Sequence, residues 1–231
     1  MDFLTARWEH LVLANYAMLP AVLAPYLPRG AELDLRGGEA FASLVAFHFL
    51  DTRVLGVPWP GFRDFTEVNL RFYVRAAGDR GVVFVSELVP QAFVAAMARL
   101  TYNEPYRAVP MGARLERAGG AVRVAHWLRF PFGTQHIEVE AEDAPFVPDA
   151  DSEAQWFKEH QWGFGTDHFG RAIRYEVRHP RWRVLPVRSQ RIEFDFGKVY
   201  GEPFAFMSTT APRSVFLAEG SAVAVRVAGG I

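Results

Sequence analysis

Between residues 65 and 75 the chain alternates with a period of two. Val68, Leu70, Phe72 and Val74 fall on one side, and Glu67, Asn69, Arg71, Tyr73 and Arg75 fall on the other. Only an extended strand keeps such a pattern on two faces, because successive side chains of a strand point to opposite sides of the sheet. Residues 81–89 form a second run, rich in Val, and the connection Ala76-Ala77-Gly78-Asp79-Arg80 suits a hairpin. The pair predicts an antiparallel sheet as the centre of the fold.

The same texture continues from about Ala31 onward, in runs of 6 to 10 residues rich in Val, Phe and Tyr and separated by Gly or Pro. Residues 107–116 and 121–130 flank Gly119-Gly120 as another hairpin, and residues 134–140 add a short strand. Residues 171–178, 189–196, 214–217 and 222–227 read as further strands, with Gly220-Ser221 as a turn between the last two. Three segments read as helix. Residues 8–19 space apolar groups close to a helical period until Pro20, Pro25 and Pro28 break the run. Residues 91–102 are alanine-rich after Pro90 and are expected to form the main buried helix. Residues 152–160 begin on a capping Ser152, after an acidic loop at 143–151 holding Pro145 and Pro148. The fold class expected is mainly β (α+β). With no internal repeat and no linker, residues 1–231 are expected to form one domain.

Composition narrows the chemistry. With 231 residues, half of them hydrophobic and 22% charged, the chain can bury a large core. It has no cysteine, which excludes disulfides, thiolate zinc sites, iron–sulfur clusters and cysteine nucleophiles. A net charge of −1 provides no global field for nucleic acid or an anionic membrane. No apolar run reaches the roughly 18 residues of a membrane span, and the first residues lack a signal-type stretch, so a cytoplasmic protein without a membrane partner is expected.

The row Glu67, Asn69, Arg71, Tyr73, Arg75 supplies a carboxylate, an amide, a phenol and two guanidinium groups at steps of about 6.8 Å. In a pocket, Glu67 would act as acid or base and Arg71 would hold an anionic group bidentately. On a half-exposed sheet the same row is merely the solvated face, with Glu67 and Arg71 paired to each other or to cross-strand neighbours. The segment Tyr102-Asn103-Glu104-Pro105-Tyr106-Arg107 leaves a helix through a proline turn, which places Tyr106 and Arg107 as ligand contacts or simply ends the helix.

Other constellations are weaker. The seven histidines show no His-x-x-x-His or His-Glu-x-x-His spacing, so no metal is expected, and His48 reads as a core or pocket-edge residue. There is no Gly-x-Ser-x-Gly, and Gly163-Phe164-Gly165 has no strand–helix setting for a phosphate or dinucleotide, so no cofactor is implied. The arginines of residues 171–191 are expected to pair with the acidic residues of 138–153 rather than with nucleic acid. Lys158 and Lys198, the two lysines, are expected at the surface, since a catalytic lysine needs desolvation.

Three stretches taken in order carry a family resemblance: Phe65-Thr66-Glu67-Val68-Asn69-Leu70-Arg71-Phe72-Tyr73-Val74, then Gly81-Val82-Val83-Phe84-Val85-Ser86, then Ala98-Arg99-Leu100-Thr101-Tyr102 leading to Pro105-Tyr106. Together they resemble the YqjF-like family of uncharacterised bacterial proteins, which is grouped by fold with acetoacetate decarboxylase. The resemblance implies a curved, mostly antiparallel sheet or cone-shaped β-barrel around a pocket, with a few external helices. Acetoacetate decarboxylase works through a lysine imine, and its Pro-Lys-Lys segment falls where this chain has Pro105-Tyr106-Arg107. Neither Tyr106 nor Arg107 can form that imine at neutral pH. The expected function is therefore binding of a small anionic or carbonyl-bearing metabolite, with Glu67, Asn69, Arg71, Tyr106 and Arg107 near the site. The alternatives are a lyase or hydrolase using Glu67 for proton transfer, and an interaction module that self-associates through an aromatic surface.

Overall fold

A computed structural model describes residues 2–230. The first half of the chain gives β1 (Leu4–Met18), α1 (Pro20–Leu23), β2 (Glu32–Leu33), β3 (Ala40–Val54), β4 (Phe65–Ala76), β5 (Asp79–Val89) and α2 (Ala92–Tyr102). Next come β6 (Tyr106–Ala108), β7 (Met111–Ala118), β8 (Ala121–Phe130), β9 (Gly133–Glu142), α3 (Glu153–Lys158), β10 (Trp162–Thr166) and β11 (Ala172–Arg178). The chain ends with β12 (Val184–Leu185), β13 (Val187–Glu193), α4 (Phe196–Tyr200) and the long β14 (Ser214–Gly230).

The fold is mostly strand, as expected. One sheet runs in the order β2-β4-β3-β1-β14-β11-β10-β5-β6, and a further pairing of β4 with β5 brings the order back on itself. Seven strands thereby form a ring of paired neighbours, from β4 through β3, β1, β14, β11 and β10 to β5. The pairs β10–β5 and β5–β6 are parallel, so the sheet is mixed rather than purely antiparallel. The second sheet, β13-β9-β8-β7, packs on the outside of the first.

The alternation in β4 is explained by this layering. Val68, Leu70, Phe72 and Val74 enter the core between the two sheets, against Val122, Val124, Leu128 and Val139. Glu67, Asn69 and Tyr73 point to the other side, yet each is at most 2% exposed. The second face is therefore the interior of the ring and not a solvated face. Ala77 and Gly78, both at positive φ, turn β4 into β5 with Ala76 opposite Asp79, a two-residue hairpin connection.

Three sequence expectations are corrected. Residues 8–18 belong to strand β1, and Leu19 lies outside it. Val12, Ala14 and Tyr16 face the inter-sheet core while Leu11 and Leu13 face the interior of the ring. A strand buried on both sides is apolar at consecutive positions, and its spacing imitates a helix face. Residues 214–227 form one strand, not two. Gly220 lies opposite Glu9 at φ +83°, where a Cβ would come 1.9 Å from the carbonyl oxygen of Trp8. The β1–β14 register runs unbroken past this point, and the bulge lies in the β1–β3 pair, whose register shifts between Glu9 and Val12 beside His10, itself at φ 54°. Finally, α2 is not buried: Ala95 faces inward, but Phe93, Met97 and Leu100 are 49%, 46% and 72% exposed. The Ser152 cap of α3 forms as expected, with its side chain accepting from the Gln155 amide. Among the described residues no helix is long and apolar enough to cross a membrane.

Candidate functional site

The strand registers bring polar side chains together at one end of the ring interior. Asn69 on β4 lies opposite Glu87 on β5, and Glu87 lies beside Tyr106 on β6. Tyr175 on β11 pairs with Gly163 on β10, where any Cβ would stand 2.1 Å from the Tyr175 ring. Gly163 is thus glycine to admit the phenol, which accounts for the first glycine of the Gly-Phe-Gly segment. Glu104 is delivered by the end of α2. Asn103 caps that helix in the left-handed conformation, and the Pro105 turn sends the chain back along β5, with Pro105 O accepting from the Glu87 amide at 3.1 Å.

Glu67, Asn69, Arg71, Glu87, Glu104, Tyr106 and Tyr175 all line one cavity of about 290 Å³. The rest of its wall is dominated by apolar and aromatic groups, among them Trp8, Leu11, Phe47, Phe65 and Trp182. Trp59, Phe62 and Phe93 also line it, with the two ring contacts to Phe93 at 6.5 and 5.1 Å. An apolar chamber with a few convergent polar groups at one end is the general form of a small-molecule site.

The electrostatics of that end are dominated by burial. Glu67 Oε1 accepts from Asn69 Nδ2 at 2.8 Å, and Oε2 accepts from the Tyr106 hydroxyl at 3.1 Å. Burial pushes its carboxyl up to about 7, against the opposing pull of those two bonds and of Arg71. Burial pushes Glu104 up to about 8, opposed by the Tyr175 hydroxyl and reinforced by the charge of Glu67. Glu87 is raised well above the carboxylate range, first by burial and then by the charges of Glu104 and Glu67. The Tyr106 and Tyr175 phenols are raised for the same reasons, so they remain neutral hydrogen-bonding groups. Near neutral pH this cluster holds protons that ordinary carboxylates have lost.

Of the residues singled out from sequence, Glu67, Asn69, Arg71 and Tyr106 meet in the cavity lining. Arg107 does not. Its guanidinium donates to the Val199 carbonyl at 2.6 Å and it is exposed, because neighbours on a strand point to opposite faces and Tyr106 takes the inward one. Tyr73 packs against Trp156, Phe157 and His160, with its hydroxyl 2.5 Å from Ser43 Oγ. Arg75 turns away to Asp34 at 2.7 Å. Arg71 donates through Nη2 to the Phe157 carbonyl at 3.2 Å, and its buried Nε has no partner.

Several cavity residues were not picked out from sequence. Glu87 had one signal, a lone carboxylate inside the apolar run of β5, and Glu104 lay within the candidate segment 102–107 without being chosen; Tyr175 had none, since only the closure of the ring brings it to Glu67. Lys158 was expected at the surface and is instead 2% exposed and part of the lining. Its ammonium is held by Gln155 Oε1 at 2.8 Å and by Glu159, and burial lowers its pKa. Lys198 is exposed and paired with Asp195 at 2.9 Å.

His48 stands in the inter-sheet space and not in the cavity, with ring centroids 6.1 Å from His10 and 5.3 Å from His126. Among the described residues no three His, Asp or Glu side chains are grouped to hold a metal ion. Arg188 reaches Glu142 as the charge pattern suggested, whereas Arg171, Arg174, Arg178, Arg183 and Arg191 pair with Asp167, Asp79, Asp2, Glu219 and Glu193.

Solved structures place this architecture. The enduracididine biosynthesis enzyme MppR complexed with pyruvate superposes with a TM-score of 0.66 at 16% identity, over 100% of this chain and 90% of that one. Acetoacetate decarboxylase from Legionella pneumophila gives 0.64 at 13% identity, over 100% and 89%. The fold is acetoacetate-decarboxylase-like. Within that class, residues 5–222 match the DUF2071 family, described as an uncharacterized conserved protein, and the chain belongs to it. The uncharacterized protein YqjF of Bacillus subtilis (strain 168) is 27% identical over 177 residues, which are 76% of this chain and 72% of YqjF.

Proposed function

We propose that the protein binds a small organic molecule in this cavity, with an apolar body among Trp8, Phe47, Phe65 and Trp182 and a carbonyl-bearing end against the polar wall. The observation that carries this reading is the convergence of three buried carboxyls, two phenols and Arg71 on one end of an otherwise apolar chamber. A carbonyl oxygen finds donors there in Arg71 Nε and in a protonated Glu67. Pyruvate, the molecule named with MppR, carries such a carbonyl. An anionic group, the other class admitted by the sequence, would face three carboxyls, with Lys158 already paired and Arg71 the one arginine in the described lining.

A second reading is favoured by one specific feature. Glu67 titrates near 7, so it can both give and take a proton at neutral pH, which is what a general acid–base in a lyase or hydrolase requires. Tyr106 occupies the inward position on β6, so this reading uses no imine there.

The test is a thermal-shift screen of the full chain against ketones, keto acids, simple carboxylates and hydrocarbons, repeated on Glu67→Gln and Arg71→Ala. A ligand at 100 times its Kd stabilises the fold by about 2.7 kcal/mol. Carbonyl compounds are expected to raise the melting temperature of the wild type and to lose that effect in Arg71→Ala. A flat screen with both variants folded refutes the binding site and favours an interaction module.

A further inference from the structure

The polar end of the cavity has an excess of acceptors. Asn69 donates its amide to Glu67, which leaves Oδ1 buried without a donor. Glu87 Oε2 and Glu104 Oε1 are likewise buried without a donor, although the two carboxyls lie within hydrogen-bonding reach of each other. Protons on Glu87 and Glu104 serve these oxygens only while both carboxyls stay neutral; once either ionises, the Asn69 oxygen and the two carboxyls share a single proton. All three residues are more than nine-tenths buried and line the same cavity, and Asn69 is the direct cross-strand neighbour of Glu87. A group with several N–H donors and a positive charge meets these oxygens better than a carbonyl can, since a carbonyl brings only another acceptor.

We propose that the molecule bound here carries a protonated amine or amidine that seats between Glu87 and Glu104 within reach of Asn69, beside the carbonyl group held at Arg71. This rests on the small-molecule reading above and names the second functional group of that ligand. Entry of the cation displaces one proton from the carboxyl pair, and the nitrogen keeps its own protons, so charge balances by release of one H⁺ to solvent. The titratable groups facing the pair are Glu67 from β4, Tyr106 from β6 and Tyr175 from β11, and the charge of Arg71 on β4 acts on Glu67.

Three probes with one aromatic body separate the possibilities: phenethylamine, acetophenone and phenylacetate, titrated calorimetrically into the full chain between pH 6 and pH 8.5. Phenethylamine stays charged over that range. It is expected to bind at least tenfold more tightly at pH 8.5 than at pH 6, with proton release visible as a dependence of the heat on buffer ionisation. Acetophenone, which needs the protonated carboxyls as donors, is expected to change in the opposite direction. Glu87→Gln and Glu104→Gln should each weaken phenethylamine at least tenfold and flatten its pH profile while leaving acetophenone bound.

Acetophenone binding without phenethylamine overturns the cationic group and leaves the carbonyl reading standing. Failure of all three probes overturns both readings, and tightest binding by phenylacetate restores the anionic class. Should the Gln variants fail to fold, the direction of the wild-type pH profile alone decides.

Discussion

Glu67→Gln is the perturbation that most directly tests the account of the buried carboxyls. The folded carboxyl sits near 7 because burial disfavours its charge, against about 4.5 when free. A carboxyl raised in the folded state favours folding below its free pKa, and that contribution is lost as pH rises through the folded value. The difference of about two and a half pH units, at 1.36 kcal/mol each, comes to about 3 kcal/mol. The amide keeps the shape and cannot ionise, and it also removes the charge that helps raise Glu87 and Glu104. The variant should therefore match the wild type below about pH 4.5 apart from a constant offset, gain on it as pH rises to about 7, and then hold the gap up to pH 9. For a chain of this size the gap corresponds to roughly 6–12 °C in melting temperature. Urea or thermal melts of both proteins across that range measure it. Because the buried histidines act in the opposite sense, the difference between the two proteins is the quantity to read. A gap that stays constant from pH 5 to pH 9 refutes burial as the origin of the shift.

Three further outcomes follow from other parts of the structure. His126, buried between the sheets with no partner on either ring nitrogen, is lowered to about 3 by burial and by neighbouring His48 and His10. A depressed histidine gives stability above about 6.5 that is lost as pH falls toward the folded value, so His126→Leu should gain about 2 kcal/mol on the wild type between pH 7 and pH 5. Equal acid midpoints would count against this. Gly163→Ala drives a Cβ into the Tyr175 ring, and should cost at least about 2 kcal/mol or displace the phenol from the cavity, read as a change in tyrosine fluorescence and a lower melting temperature. A variant with wild-type stability and ligand response would show that the wall tolerates the methyl. Asp34 is 1% exposed and bridges Arg75 at 2.7 Å and Arg80 at 2.5 Å. Both arginines are about a third or more exposed, so Asp34→Ala should cost about 1–3 kcal/mol by denaturant melts rather than the larger loss of a fully buried pair.

Local pattern alone carried much of the architecture. The period of two at β4, the hairpins after β4 and β7, the helix expected over residues 91–102 and found at Ala92–Tyr102, and the Ser152 cap all depend on neighbours in sequence. The sequence also singled out Glu67, Asn69, Arg71 and Tyr106 as polar groups spaced for one face or turn. What a strand sees on each side is not a local property. β1 is apolar on consecutive residues because one face meets the second sheet and the other lines the ring, and nothing within residues 8–19 distinguishes that from a helix. Gly220 reads as a turn until Trp8 is known to lie across from it. The functional end of the cavity depends on the same long-range fact. Glu67 and Glu87 share a hairpin, but Glu104 joins them through the parallel pairing of β6 with β5 and Tyr175 only through closure of the ring, and their burial there, rather than their identity, raises the carboxyls. Residue types and spacing determined which groups were available; the tertiary fold decided which of them lost water together, and in a buried site that loss sets the charge.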